Sequence, residues 1–166
     1  MQSTLELVHS LSESEVVQVA KELFSVVYTQ VPYSEVRSNS QGVAEVDALS
    51  SLDHDTMKQE LSPMDSARFG RLLLEQYARD PVLAPFVEQA CEKVHGSDNL
   101  ILDLVLTVGV IANLTLFVAT TRVKVQKGSD GKITVLVVKG KAGIEELKAV
   151  LETIVQPLFK LLRPTS

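Results

Sequence analysis

The run LILDLVLTVGVIANLTLFVAT, from Leu100 to Thr120, limits what this chain can become more than any other stretch. Its only clearly polar members are Asp103, Thr107, Asn113, Thr115 and Thr120. A helix that is apolar on every face belongs either in the centre of a protein core or in a membrane. About 20 apolar residues suffice to cross a bilayer, and basic residues just after the run would favour a cytoplasmic C-terminus. Asp103 and Asn113 inside the run weigh against lipid. So does the next segment, which needs a helix to cover it.

That segment changes period. Val123 and Val125 alternate with Arg122, Lys124 and Gln126, Gly128-Ser129-Asp130-Gly131 supplies a turn, and Ile133, Val135 and Val137 answer. This pattern predicts a β-hairpin. A lone two-stranded hairpin is marginal in water, and Leu136 and Val138 make its second strand apolar on both faces, so it requires cover. An amphipathic helix follows, with Ile144, Leu147, Leu151, Ile154, Val155, Leu158 and Leu162 as its stripe. Pro157 is expected to kink it.

Upstream, residues 3–8 alternate loosely and read as a short strand. Ser12 and Glu15 make a capping box, and Val16, Val19, Ala20, Leu23, Phe24 and Val27 carry a helix over about 12–29. A second weak strand is read over 31–37. The acidic stretch 38–61 shows no clear pattern; it is either a mobile loop or a short strand plus a helical turn. Ser62-Pro63-Met64-Asp65 opens a helix to about residue 79. Asp80-Pro81 opens another, which ends at Gly96. Together these elements predict one α+β domain over 1–166, with helices packed on a small sheet that contains the hairpin.

Charge is unevenly spread. Residues 1–97 hold seven basic and fifteen acidic side chains, net −8, whereas 98–166 are net +3. Arg122, Lys124, Lys127, Lys132, Lys139 and Lys141 face Asp130 alone within 121–142. Such asymmetry concerns association rather than fold, and an acidic partner suits the hairpin. Scarce aromatics argue against a platform for stacking single-stranded nucleic acid. The single cysteine and an N-terminus without a basic or apolar leader lead us to expect a cytoplasmic protein.

From residue 98 to 162 the order is apolar helix, Thr-Arg-Val-Lys-Val strand, Gly-Ser-Asp-Gly turn, Lys-Ile-Thr-Val-Leu-Val-Val strand, then Gly143-Ile144-Glu145-Glu146-Leu147 opening a helix. This pattern resembles the small effector-associated components of bacterial conflict systems. The first 97 residues depart from it. The resemblance implies a non-catalytic adaptor working beside an effector, and it transfers no catalytic residue.

Three constellations carry candidate chemistry. Cys91 and His95, four apart on a helix, have the spacing of a thiolate and its base, yet Cys91 falls in the apolar stripe and no third group orients the pair. Asp53, His54 and Asp55 offer metal-ligand atoms without a scaffold. Lys139-Gly140-Lys141-Ala142-Gly143 lies before a helix start where an anion could rest, but Glu145 and Glu146 oppose one. No catalytic residue, metal or cofactor is expected. The basic hairpin is the favoured contact element, with edge protection by lysine as its plainer explanation. The chain is therefore expected to be a self-associating or partner-binding module of a multi-component bacterial system; the alternative is a membrane-associated or membrane-inserting protein built on 100–120.

Overall fold

The computed structural model describes residues 3–30, 48–49, 51–80, 83–95, 105–127, 133–139 and 150–162. The chain order is α1 (Thr4–His9), α2 (Glu13–Gln30), α3 (His54–Lys58), α4 (Pro63–Arg79), α5 (Ala84–His95), α6 (Val108–Thr120), β1 (Thr121–Lys127), β2 (Ile133–Lys139), a π-helical turn (Leu151–Val155) and α7 (Gln156–Leu162).

Local chemistry sets the helix starts. The Ser12–Glu15 box forms as its spacing demands: Glu15 N–H donates to Ser12 Oγ at 3.2 Å, and Ser12 N–H donates to Glu15 Oε1 at 3.1 Å. Ser62 caps α4 by accepting from Asp65 N–H at 3.1 Å, with Pro63 in the first turn where its missing N–H is harmless. α5 starts at Ala84, after a turn in which Leu83 N–H and Ala84 N–H both donate to Asp80 O. Pro85 thus falls in the first turn rather than inside the helix.

The core is helix on helix. α2 packs on α4 and α5, α1 on α4, and α4 on α6. Val16, Val19, Ala20, Leu23 and Val27 of α2 meet Phe69, Leu73, Leu74 and Tyr77 of α4 and Phe86, Val87 and Ala90 of α5 in one buried cluster. α6 completes it: Ile111, Ala112, Leu114, Leu116 and Phe117 are wholly buried. The Phe117 ring stacks on Tyr77 with centroids 6.2 Å apart and meets Phe86 edge-on at 6.3 Å.

Two expectations fall here. Residues 3–8 are not a strand. Ser3 and Glu6 form a second capping box and α1 follows, docked by Arg71, whose guanidinium donates to Val8 O at 3.0 Å and Leu11 O at 2.8 Å. The α+β architecture is overturned with it, because the body is helical and, among the described residues, no sheet underlies the helices. β1 and β2 pair only with each other, Thr121 opposite Lys139 through Lys127 opposite Ile133, and no third strand joins them among the described residues. The expected N-terminal strand is a helix, so nothing is available there to widen the pair into a sheet. The other expected strand, 31–37, lies outside the described residues, as do 38–47 and residue 50.

The apolar run is not one helix either. Leu106 is extended, accepting from Leu61 N–H at 2.9 Å, while Val108 N–H donates to Gln59 O at 2.9 Å, an isolated bridge between Glu60 and Thr107. α6 then spans 13 residues, about 20 Å, short of the roughly 30 Å of bilayer hydrocarbon. No helix among the described residues is long and apolar enough to cross a membrane. Asn113 and Thr115, the polar members inside α6, bond to its own backbone: Asn113 Nδ2 to Gly109 O and Thr115 Oγ1 to Ile111 O, each at 2.7 Å.

Towards the C-terminus, the π-helical turn ends at Val155, two residues before Pro157. A proline ring presses on the carbonyl of the preceding turn and offers no N–H. Widening the helix there accommodates both. Val150, Ile154, Val155 and Leu158 are buried in the core cluster.

Candidate functional site

Two of the clefts on the described surface contain side chains singled out from the sequence.

The first lies between α1 and α5, with a volume of about 570 Å³, and is lined by Ser3, Thr4, Leu7, Glu88, Cys91, Glu92 and His95. The Cys91–His95 pair is therefore at a surface depression, but its parts are set for other tasks. Cys91 is buried, and burial pushes its thiol up to about 11, with Glu15, Glu88 and Glu92 adding negative potential. A thiol in that state is protonated at neutral pH and is a poor nucleophile. His95 Nε2 sits 3.2 Å from Glu15 Oε2, clasping the end of α5 to the start of α2. Glu15 is held below the usual carboxylate range by the Ser12 backbone N–H, then the Ser12 hydroxyl, then His95. Thr4 Oγ1 donates to Glu88 Oε1 at 2.7 Å, and Lys93 pairs with Glu22 at 3.6 Å. What remains at the mouth is acidic: Glu88 and Glu92 are exposed.

The second cleft lies between α3 and α6, with a volume of about 490 Å³. Phe24, Leu52, Met57 and Val110 form its apolar walls, His54 and Lys58 stand exposed on it, and Asn113 reaches it from α6. Its geometry depends on Gly109. A Cβ there would sit 2.9 Å from Met57 O, so only glycine lets α3 approach α6 this closely. Tyr28 holds the neighbouring turn of α6 by donating to Asn113 O at 2.6 Å.

Asp53, His54 and Asp55 are not a metal cluster. Asp53 is the cap of α3, its carboxylate accepting from Thr56 N–H at 2.7 Å, and that bond lowers its pKa. No group of three or more His, Cys, Asp or Glu side chains among the described residues could hold a metal ion. The short helix matches the helical turn that was one of the two readings of 38–61; five residues carry too little periodicity to place it, although the Asp-x-x-Thr spacing of its cap was present.

The basic side chains singled out from the sequence fall elsewhere. Arg122, Lys124 and Lys127 lie on β1 and Lys139 on β2, opposite Thr121 in the register. Lys132, Lys141 and the loop 140–143 lie outside the described residues. No family model, curated protein or solved structure matches the chain.

Proposed function

We propose that this protein is a non-catalytic interaction module whose basic segment 121–142 engages an acidic protein surface. The observation that carries the reading is the segregation of charge: six cations against one acid within 121–142, beside an N-terminal part of net −8. A second copy offers such an acidic surface in the α1–α5 cleft, where Glu88 and Glu92 are exposed. Contacts of this kind speed and orient encounter more than they tighten it, so the association should weaken with salt. The pattern shared with effector-associated components would make the natural assembly a multi-component bacterial system, with this chain as adaptor.

The test is light scattering coupled to size exclusion at low and high salt. Self-association that fades with salt supports the reading. Lys132→Glu with Lys139→Glu should abolish it, and so should Glu88→Lys with Glu92→Lys. A mixture of the two variants should restore it. A chain that stays monomeric throughout, or associates regardless of these charges, would exclude self-association by this route. Loss of an acidic effector on the lysine variants would then be the remaining support.

A further inference from the structure

We propose that β2 is a dimerisation edge, pairing antiparallel with β2 of a second copy so that two hairpins join into one four-stranded sheet in the order β1-β2-β2-β1. The hairpin is incomplete by itself. β1 and β2 pair from Thr121 opposite Lys139 to Lys127 opposite Ile133, and among the described residues no further strand lies on either edge. Beyond that ladder, β1 meets α6 at its base, the helix it directly continues. A two-stranded ribbon is marginal in water and gains stability from further strands.

The two strands differ in how they would receive a neighbour. β1 carries Arg122, Lys124 and Lys127, whereas Ile133 to Val138 of β2 hold no charge, proline or glycine. Cations guard a strand edge, and an uncharged, mostly β-branched run invites pairing. Register sharpens the contrast. Identical antiparallel strands related by a two-fold axis set one residue opposite itself. Paired along its full length, β1 would place Lys124 against Lys124, a like-charge pair that opposes contact. β2 would place Leu136 against Leu136, Val135 against Val137, Thr134 against Val138 and Lys139 against Ile133. No charge then meets a like charge, and the two Lys139 stand about 20 Å apart, beyond the screening length of physiological salt. A strand of this same chain is thus a partner that β2 accepts and β1 refuses. Because the basic β1 edges stay outermost, the sheet closes at two copies rather than growing.

This contact goes beyond the charge-driven one proposed above, and the two fail separately, since salt screens charges and leaves a ladder of backbone hydrogen bonds in place. The experiment is light scattering on the full chain in about 1 M salt, where the Debye length is about 3 Å. A dimer is expected there, and Leu136→Lys, which gives β2 the same self-opposed cation as β1, should halve its mass. Oxidation of single-cysteine variants then reads the register. In a Cys91→Ala background, Leu136→Cys should yield a disulfide-linked dimer, because opposed residues in such a ladder lie about 4.5–5.5 Å apart. Thr134→Cys, offset from its own counterpart by about 14 Å, should not. If Leu136→Lys does not fold, the two cysteine variants decide. A monomer in high salt overturns the proposal, as does a dimer in which the two cysteine variants link equally or neither links.

Discussion

The hydroxyl of Tyr77, a wholly buried residue in the last turn of α4, donates to the carbonyl of Leu114 in the middle of α6 at 2.7 Å. A helix-interior carbonyl already has its place in the helix ladder, so this bond is an additional one made between elements. It fixes the longitudinal register of α6 against α4 while the Tyr77 and Phe117 rings supply the contact area. Burial, with the neighbouring Tyr28, pushes the Tyr77 phenol well above its ordinary value.

Tyr77→Phe should therefore keep the packing and lose one bond. Denaturant unfolding should show a loss of about 1 kcal/mol. Phe117→Ala, which empties the place where Tyr77 and Phe86 meet, should cost about 3–5 kcal/mol.

Arg71 holds α1 by donating to Val8 O and Leu11 O, the carbonyls at and beyond the end of that helix. Arg71→Ala should release α1 before the rest of the protein, seen as faster amide exchange over residues 4–11, with a global loss of about 1.5–3 kcal/mol. Arg71→Lys should not rescue it, because one ammonium cannot reproduce the planar fork.

Gly109 and Gly70 make a paired test. At Gly109 a methyl would meet the backbone oxygen of Met57 at 2.9 Å, so Gly109→Ala should push α3 away and destabilise by about 1–3 kcal/mol despite the better helix propensity of alanine. At Gly70 the nearest atom is a side-chain methyl, Val16 Cγ1 at 3.1 Å, which has to give by only a few tenths of an ångström. Gly70→Ala should be close to neutral, since alanine gains roughly 1 kcal/mol over glycine inside a helix. Thermal melts of the two variants check the contrast.

Cys91 gives a pH dependence with a definite sign. Its folded pKa of about 11 exceeds the ordinary thiol value of 9, so the folded state keeps its proton longer than the unfolded chain. The stability tied to the protonated thiol is complete below pH 9 and is lost as pH rises through about 11. Cys91→Ala should flatten this part of the stability profile. Native Cys91 should react with iodoacetamide at neutral pH far more slowly than the unfolded chain, and equal rates would contradict the burial.

Much of the helical body was legible in the sequence because its signals are local. Ser12 with Glu15, and Ser62 with Pro63, announce helix starts that the structure places within a residue. The same grammar was present at Ser3 and Glu6 and was outweighed by a loose alternation over six residues, a length at which strand and helix patterns overlap. Reading α+β followed from that error, since a predicted hairpin asks for partners and the N-terminal segment seemed to provide one. The start of α6 was not legible at all. Val108 begins it, just after Thr107, where Gln59 and Leu61, far away in sequence, take up the backbone of Val108 and Leu106. Nor was the α3–α6 cleft: in the sequence Asn113 only weighs against lipid, and the cleft depends on Met57 lying against Gly109.

α6 is the central member of the core, yet it is made late. A ribosome delivers α1, α2, α4 and α5 first, with Tyr77 and Phe86 turned toward a place that Leu114 and Phe117 have not reached. Until that last third emerges, the nascent chain carries an uncovered apolar seam, the kind of surface that attracts chaperones or a second unfinished copy. Truncations before residue 117 should thus be poor mimics of the protein.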